Sequence, residues 1–156
     1  MTKKERADAV YKCLCDYMSG EGYKYQADEL NRTVALQLTG ADFPMLTTFK
    51  VEEEPERTFV YSKMPFEVQK EKVVDMVMAT TYINQLLAIG TFCVDIENCV
   101  CSFESNESYV GLYGFNKEWA ERVVMSAFAA IEKYNDKLYD VNRGYITVRD
   151  FASQVK

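Results

Sequence analysis

Apolar and polar positions alternate along the chain with periods that predict its helices and strands. The first period is helical and covers residues 3–19, with Thr2 and Glu5 forming a capping box and Gly20 ending the helix. Its predicted buried stripe consists of Ala7, Val10, Tyr11, Leu14, Tyr17 and Met18. A helix of this kind needs an apolar surface to pack against.

Three extended segments follow this helix. Residues 33–38 alternate between the two faces of a strand, residues 43–51 form a second strand that Pro44 opens, and residues 58–61 form a third. The acidic stretch from Glu52 to Glu56 has the chemistry of a solvent-exposed turn, and it lacks the glycine turn of a calcium loop. These segments predict an antiparallel sheet.

A long helix is predicted next, over residues 65–89. Pro65 suits its first turn, where a missing N–H has no hydrogen bond to lose, and Gly90 supplies its end. The face predicted to be buried carries Val73, Val77, Thr80 or Thr81, Asn84 and Leu87.

A β-hairpin is predicted over residues 91–104, with Glu97 and Asn98 as a two-residue turn. This register places the pairs Phe92–Phe103, Val94–Cys101 and Ile96–Cys99 on one dry face. The mostly wet face is predicted to carry Thr91, Cys93, Asp95, Val100, Ser102 and Glu104. Cys93 is therefore the one thiol expected to point outward and the candidate for reactivity.

The last third of the chain is predicted to be helical after a short extended piece at residues 109–113. Asn116 caps a helix over residues 117–142, Gly144 ends it, and a short helix follows at residues 148–155. The long helix has the stripe Ala120, Val123, Val124, Ala127, Phe128, Ile131, Tyr134, Leu138 and Val141. The order α-βββ-α-ββ-α predicts one α+β domain over residues 1–156, with an antiparallel sheet packed against helices.

Charge and composition narrow the classes of partner. The net charge of −6 disfavours nucleic acid and anionic membrane surfaces, because both need basic patches for binding. No apolar run is long enough to span a bilayer, and the N-terminus has no apolar core of an export signal. A cytoplasmic location is expected, with the five cysteines as free thiols.

The sequence contains no histidine, which removes Ser-His-Asp and Cys-His nucleophile systems and histidine-containing zinc sites. Cys13 and Cys15 lie about 200° apart around a helix, so neither a disulfide nor chelation suits them. Cys99 and Cys101 are expected to pack as apolar residues. No catalytic, cofactor-binding or metal-binding residue is therefore predicted, and the chain is expected to be neither an enzyme nor a cofactor-dependent protein.

Three aromatic residues near the start of the last long helix allow two interpretations. Tyr109, Tyr113 and Trp119 either fill the core or line an exposed apolar patch. The second interpretation makes them the candidate partner-contact surface. The seven methionines favour core filling over a binding surface.

The run from Ile83 to Asp95 resembles the YbjN-like family. In that pattern a helix ends in Asn and a few apolar residues, and Gly, an aromatic and an acidic residue follow on the next strand. The resemblance implies the fold of the type III secretion chaperones, which are small, acidic, dimeric proteins that bind an extended client segment. It implies a homodimer without catalytic residues.

The resulting hypothesis is a non-catalytic protein-binding, chaperone-like or regulatory module that binds its client through surface grooves or a sheet edge. One alternative is a small-molecule-sensing domain with an aromatic-lined pocket. Another is a hydrolase that uses carboxylates alone, which would need two carboxyl groups about 5–10 Å apart in a cleft. A third is a structural or immunity-type partner protein.

Overall fold

A computed structural model describes residues 1–39, 43–111 and 115–156. The helices are α1 Lys3–Gly20, α2 Val73–Asn84, α3 Lys117–Arg143 and α4 Val148–Gln154, with a 3₁₀ turn at Lys70–Lys72. The strands are β1 Gln26–Asp28, β2 Thr33–Thr39, β3 Pro44–Glu52, β4 Arg57–Glu67, β5 Thr91–Asp95 and β6 Val100–Ser108.

The strands form one antiparallel sheet in the order β1-β2-β3-β4-β6-β5. Its inner face packs against the helices, and residues such as Phe49, Val60 and Phe103 are fully buried there. The predicted α+β fold with an antiparallel sheet against helices is confirmed. The three-residue strand β1 was not predicted, because it is too short to show a period.

The two amphipathic helices α1 and α3 follow their predicted caps closely. The Thr2 hydroxyl accepts a hydrogen bond from the Glu5 N–H at 3.1 Å, and the Asn116 side chain caps α3 by accepting from the Trp119 N–H at 3.0 Å. Gly144 ends α3 in the left-handed conformation, with φ 72°. Every residue of the stripe predicted for α3 is buried.

Strand β4 extends well beyond the predicted third strand and takes up Pro65. The pairing of β4 with β6 shifts its register between Lys63 and Glu67. At this irregularity the ladder requires no N–H from residue 65, so a proline is tolerated there. Helix α2 therefore begins at Val73, and the prediction of a helix from residue 65 is wrong.

The buried face of α2 also differs from the prediction. The residues that α2 buries are Met76, Ala79, Thr80 and Ile83. Val73, Val77 and Asn84 are only half-buried, so the predicted face is wrong except at Thr80. Asp75 is the one charged residue in this twelve-residue helix. The pattern of charged residues therefore did not indicate which side of the helix is buried.

The predicted hairpin has the predicted register but a longer turn. Phe92 pairs with Phe103 and Val94 pairs with Cys101, as expected. The ladder ends at Asp95, whose carboxylate accepts hydrogen bonds from two turn amides. Ile96 is 63% exposed, so its predicted place opposite Cys99 on the dry face is wrong. Ser102, which was predicted to be on the wet face, is only 5% exposed.

Candidate functional site

One edge of the sheet is paired along only half of its length. Strand β1 pairs with the first half of β2, where Gln26 lies opposite Ala35 and Asp28 lies opposite Thr33. The ladder does not continue to Gln37. The second half of β2 is therefore an exposed strand edge.

Backbone alternation shows which groups this open edge presents. The Arg32 C=O accepts a hydrogen bond from the Val51 N–H at 2.9 Å, so every second residue from Arg32 onward bonds with β3. The intervening residues, including Gln37, point their N–H and C=O groups away from β3. Within the described ranges, no residue forms a hydrogen bond with the Gln37 backbone on that side. A free donor and acceptor of this kind can pair with another chain.

A trough runs along this open edge. The N–H of Tyr23 bonds the Met18 C=O at 3.0 Å as the chain leaves α1, which holds residues 22–24 apart from β2. The space between them has a volume of about 600 Å³. We call it the edge trough, and it is lined by Gly22, Tyr23, Lys24, Leu36, Gln37 and Leu38.

An apolar cleft adjoins the edge trough and shares Tyr23 and Leu38 with it. This edge cleft lies between the ends of β2 and β3 and the middle of α3, and its volume is about 250 Å³. The Tyr23 and Phe128 rings pack edge to face, with their centroids 5.9 Å apart. The full lining is Tyr23, Leu38, Phe43, Met45, Met125, Phe128, Ile131, Glu132 and Asn135. The two hollows together place unpaired backbone groups beside an apolar depression.

The environments of Cys13, Cys15, Cys93 and Cys101 favour the protonated form of their thiols. Burial is the main cause that raises the pKa of Cys13, Cys15 and Cys93 above the ordinary value. Burial also raises the pKa of Cys101 to about 12. The Glu104 carboxylate, 3.9 Å from the Cys93 sulfur, adds to the effect on Cys93. A thiol needs a lowered pKa to act as a nucleophile near neutral pH, so the environment of these four thiols opposes that role.

The carboxyl groups with a displaced pKa are shifted downward. Hydrogen bonds lower the pKa of Glu5 (from Thr2), Asp28 (from Asn31) and Asp95 (from Asn98). The Arg6 guanidinium lowers the pKa of Glu56 in the same direction. A general acid requires a raised pKa, so these four groups do not suit that role.

Across residues 1–39, 43–111 and 115–156, no three cysteine, aspartate or glutamate side chains cluster in a way that could hold a metal ion. The same part of the chain contains no helix with the length and apolar character needed to cross a membrane.

The candidate partner-contact residues do not form an exposed patch. Tyr109 is fully buried, and its hydroxyl donates a hydrogen bond to the Glu52 C=O. Trp119 is 6% exposed and packs edge-on against Phe115. Tyr113 lies outside the described residues. The expectation of an exposed aromatic patch therefore needs correction at Tyr109 and Trp119, which belong to the core.

The run from Ile83 to Asp95 has a structural role in this fold. The Asn84 side chain accepts a hydrogen bond from the Phe92 N–H at 2.8 Å and donates one to the Phe92 C=O at 2.9 Å. Gly90 lies between them with φ 81° and packs against the Phe103 ring. We call this arrangement the Asn84 clamp, and it closes the outer edge of β5 at Phe92.

The sequence did not point to the edge trough or the edge cleft. Their residues come from the loop after α1, the end of β2 and the middle of α3. In the sequence, each of these segments has the pattern of a core element or a turn. The signal that could have found them is the exposed Met125 (43%) on a helix whose other outward residues are mostly charged.

Comparisons with known proteins support the fold. No protein-family model matches the sequence, and no curated protein is significantly similar to it. One solved structure with a similar fold is the crystal structure of the ExsC–ExsE complex. A chain of that complex matches with a TM-score of 0.59 and 15% identity, over 83% of this chain and 92% of that chain. This likeness confirms the type III secretion chaperone-like fold and carries no specific support for the YbjN-like family.

Proposed function

We propose that this chain is a non-catalytic, chaperone-like protein-binding module that holds an extended segment of a client protein at the open half of β2. The observation that carries the proposal is the unpaired backbone of Gln37 beside the apolar edge cleft. The similar fold of a chain from a two-protein complex supports the same class of function. The proposal includes a homodimer in the cytoplasm, which is the state expected from the sequence.

The backbone supplies the first part of the binding mode. A client residue placed opposite Gln37 exchanges two hydrogen bonds with it, as in an ordinary antiparallel pair. These bonds do not depend on client sequence, so they favour any segment that can become extended. They also fix the client in one register, because Thr33 and Ala35 are already paired with β1.

An apolar anchor supplies the second part. Leu36 and Leu38 point to the inner side of the sheet, whereas Gln37 points to the outer side. Client residues on either side of the one paired with Gln37 therefore point inward too, toward the edge cleft beside Leu38. Burying one aliphatic or Met side chain there contributes about 1.5–3 kcal/mol.

Charge supplies a third, weaker preference. Glu132 lines the edge cleft, and the whole chain has a net charge of −6. A client segment with basic residues next to its apolar anchor is therefore favoured over an acidic one, and the surplus charge keeps the complex soluble.

The size of the edge cleft disfavours a small-molecule site within that cleft. Ligand pockets commonly measure about 300–1,000 Å³, whereas the edge cleft measures about 250 Å³ and opens onto the edge trough. A single side chain of an extended peptide suits that volume better than a whole ligand. The lowered pKa values of Glu5, Asp28, Asp95 and Glu56 likewise give no support to a carboxylate-only hydrolase.

The test is selection of peptide binders from a random displayed library of extended peptides, followed by affinity measurements on variants. Gln37→Pro removes the outward N–H, and an edge position tolerates proline because that N–H is not in the β2–β3 ladder. Gln37→Ala is its matched control, since it keeps the N–H. Met125→Glu puts a charge at the edge cleft, and Leu30→Glu makes the same change at a side chain that is 91% exposed elsewhere.

We expect the selected peptides to carry apolar anchors and to lose at least about tenfold in affinity for Q37P and M125E, equivalent to about 1.4 kcal/mol. Affinity for Q37A and L30E should match that of the unchanged protein. Peptides that bind all four variants equally, or a selection that yields no binder to the folded protein, would contradict the proposal.

A further inference from the structure

Strand β4 parts from the register of both of its neighbours near its end. Its ladder with β3 stops at Ser62, opposite Thr47. Its ladder with β6 shifts register between Lys63 and Glu67. Residues 64–66 therefore have no register partner on β3 or on β6. An irregularity of this kind bends the strand and opens the surface of the sheet.

A hollow of about 640 Å³ occupies this opening. We call it the end hollow, and it lies between the start of β3, the end of β4 and the turn from β5 to β6. Among the described residues, it shares no lining residue with the edge trough or the edge cleft. Ligand pockets commonly measure about 300–1,000 Å³ and are mainly apolar. The end hollow meets both conditions, since its walls include Pro44, Leu46, Pro65, Phe66 and Val100.

The turn side of the end hollow is held in place by hydrogen bonds. The Val68 N–H donates to the Cys99 C=O at 2.8 Å and so joins the end of β4 to the turn. The Asn98 side chain donates to the Asp95 carboxylate at 2.8 Å, and that carboxylate also accepts from two turn amides. This wall is therefore formed before any ligand binds, which lowers the entropic cost of binding.

Two opposite charges lie at the end hollow, on either side of Pro65. Lys63 and Glu67 line the hollow, and both are exposed. They point to the same face of the sheet as Pro65, because the alternate residues Met64 and Val68 are buried. Within the described ranges, neither Lys63 nor Glu67 lies within ion-pair distance of an opposite charge.

The other cations on this face of β3 and β4 are already paired. Lys50 lies 3.9 Å from the Glu52 carboxylate, and Arg57 forms an ion pair with the same carboxylate. Lys63 is therefore the cation of these two strands that can still bind an anion.

We propose that the end hollow binds a short apolar peptide of two or three residues with free ends. Lys63 binds the terminal carboxylate, Glu67 binds the terminal ammonium group, and the apolar walls cover the side chains of the peptide. The end hollow shares no residue with the client site, so this inference does not rest on the proposed function.

The spacing of the two charges selects the length of the ligand. From Lys63 to Glu67 the strand spans about 13 Å. An extended dipeptide or tripeptide has its ends about 7–10 Å apart, and the long Lys63 and Glu67 side chains can reach inward over the remaining distance. The two charges of a single amino acid lie too close together to meet both side chains at once.

The charges are expected to select the free ends of the peptide rather than to supply most of the affinity. Water screens exposed ion pairs, so each one changes the dissociation constant by about fivefold at most. Burial of the apolar side chains against the walls of the end hollow supplies the larger share.

An NMR titration with the dipeptide Leu-Leu and the tripeptide Leu-Gly-Leu tests the inference. Both peptides should shift the backbone amide signals of Leu46, Lys63 and Val100. Both should bind at least about fivefold more tightly than N-acetyl-Leu-Leu-amide or free leucine, which cannot form the two ion pairs together.

Variants that remove one charge assign each end of the peptide. Lys63→Met should abolish the preference for a free carboxylate over an amide at the C-terminus. Glu67→Gln should abolish the preference for a free over an acetylated N-terminus. Lys50→Met and Glu71→Gln are the matched controls, because both residues are exposed and neither lines the end hollow. They should keep both preferences.

A charge on an apolar wall tests the place of binding. Leu46→Glu, at a side chain that is 62% exposed, should keep the melting temperature and weaken Leu-Leu binding at least about tenfold. Leu30→Glu, at a side chain that is 91% exposed elsewhere, should leave the affinity unchanged.

Four results would each overturn the inference: equal binding of free-ended and blocked peptides, unchanged binding to L46E, free leucine that binds as tightly as Leu-Leu, or no shift at the end hollow with millimolar peptide. Gln37→Pro should not change the affinity for Leu-Leu, and a loss there would place the dipeptide at the client site instead. A protein that binds the selected long peptides but not Leu-Leu overturns this inference and leaves the proposed function intact.

Discussion

Gly90 connects the end of α2 to β5 under two separate constraints. Its φ of 81° is in the left-handed region, where a side chain is strained. A Cβ atom at this position would also lie 2.4 Å from the Phe103 ring, far inside van der Waals contact. Gly22 has nearly the same φ, 76°, but nothing lies within 4 Å of the corresponding Cβ position. Comparing alanine substitutions at the two glycines therefore separates the cost of backbone strain from the cost of steric overlap.

We predict that Gly90→Ala lowers the free energy of unfolding by at least about 2 kcal/mol, because conformational strain and displacement of the Phe103 ring add. Gly22→Ala should lower it by about 1 kcal/mol, from conformational strain alone. Urea denaturation of the two variants measures the difference. Equal losses would show that the Phe103 ring moves aside without cost.

Cys93 should be a slow nucleophile in the folded protein. Burial and the Glu104 carboxylate raise the pKa of its thiol, so the thiolate fraction at pH 8 is lower than in an unfolded chain. We predict that iodoacetamide modifies Cys93 several-fold more slowly in the folded protein than in urea, and that the folded rate increases with pH. Peptide mass mapping, with Cys93→Ser as the blank, gives both rates. A folded rate equal to or above the rate in urea would contradict the assigned environment.

Residue-scale predictions from the sequence succeeded where the determinants are local. Thr2 and Glu5 could be assigned as a capping box because both partners lie within one turn of helix. Tyr109 and Trp119 could not be assigned to the core or the surface, because an aromatic ring that carries one polar atom is common in both places. Tyr109 is buried because its hydroxyl reaches the Glu52 C=O, fifty-seven residues away in the sequence.

At the scale of elements, α1 is fastened to the β3–β4 turn by ion pairs. Arg6 Nε lies 2.6 Å from Glu56 Oε1, and the Glu56 side chain is only 9% exposed. Lys3 pairs with Glu54 in the same turn, but the Glu54 side chain is 76% exposed. The less exposed Arg6–Glu56 pair is expected to matter more for stability, because water screens the Lys3–Glu54 pair more strongly.

The Arg6–Glu56 pair predicts a loss of stability in acid. Arg6 lowers the folded-state pKa of Glu56, so the unfolded state takes up the proton first as the pH falls. The stability that Glu56 contributes is therefore complete above its unfolded pKa of about 4.3 and is lost as the pH falls through the folded pKa.

Urea midpoints measured from pH 7 to pH 2 check this prediction. Glu56→Gln should be less stable than the unchanged protein at pH 7, and the difference should shrink below about pH 4.3. Glu54→Gln, in the same turn, should change the midpoint little at any pH. A difference for E56Q that does not depend on pH would contradict the role of this ion pair.

Element boundaries were predictable where charged residues marked the solvent side. α3 has such a pattern, and every residue predicted for its stripe is buried, although Trp119, Ala130, Asn135 and Asn142 are buried as well. α2 has no such pattern of charged residues, so both its first residue and its buried face were predicted wrongly.

At the scale of the whole molecule, the two edge strands of the sheet are covered in different ways. The Asn84 clamp closes β5 at Phe92, whereas β1 leaves the second half of β2 unpaired. The proposed client site therefore lies at the β2 edge, with β3, β4 and β6 between it and β5.

The fold class could be predicted from the sequence because it follows from the order of periodic segments. The site could not, because Tyr23, Gln37 and Met125 come together only when α3 lies across the end of β2. The open edge also depends on the shortness of β1, which begins at Gln26, opposite Ala35, and so does not reach Gln37. A three-residue strand leaves no periodic pattern in the sequence.

The most direct test of client binding at β2 is hydrogen exchange of single backbone amides, measured by NMR with and without a selected peptide. Strand addition predicts that the Gln37 amide exchanges at least about tenfold more slowly in the saturated complex, because it gains a hydrogen bond. The Val94 amide is the internal control, since it points outward from β5 at the opposite edge and should not change. A saturated complex in which Gln37 exchanges at its free rate would contradict the account.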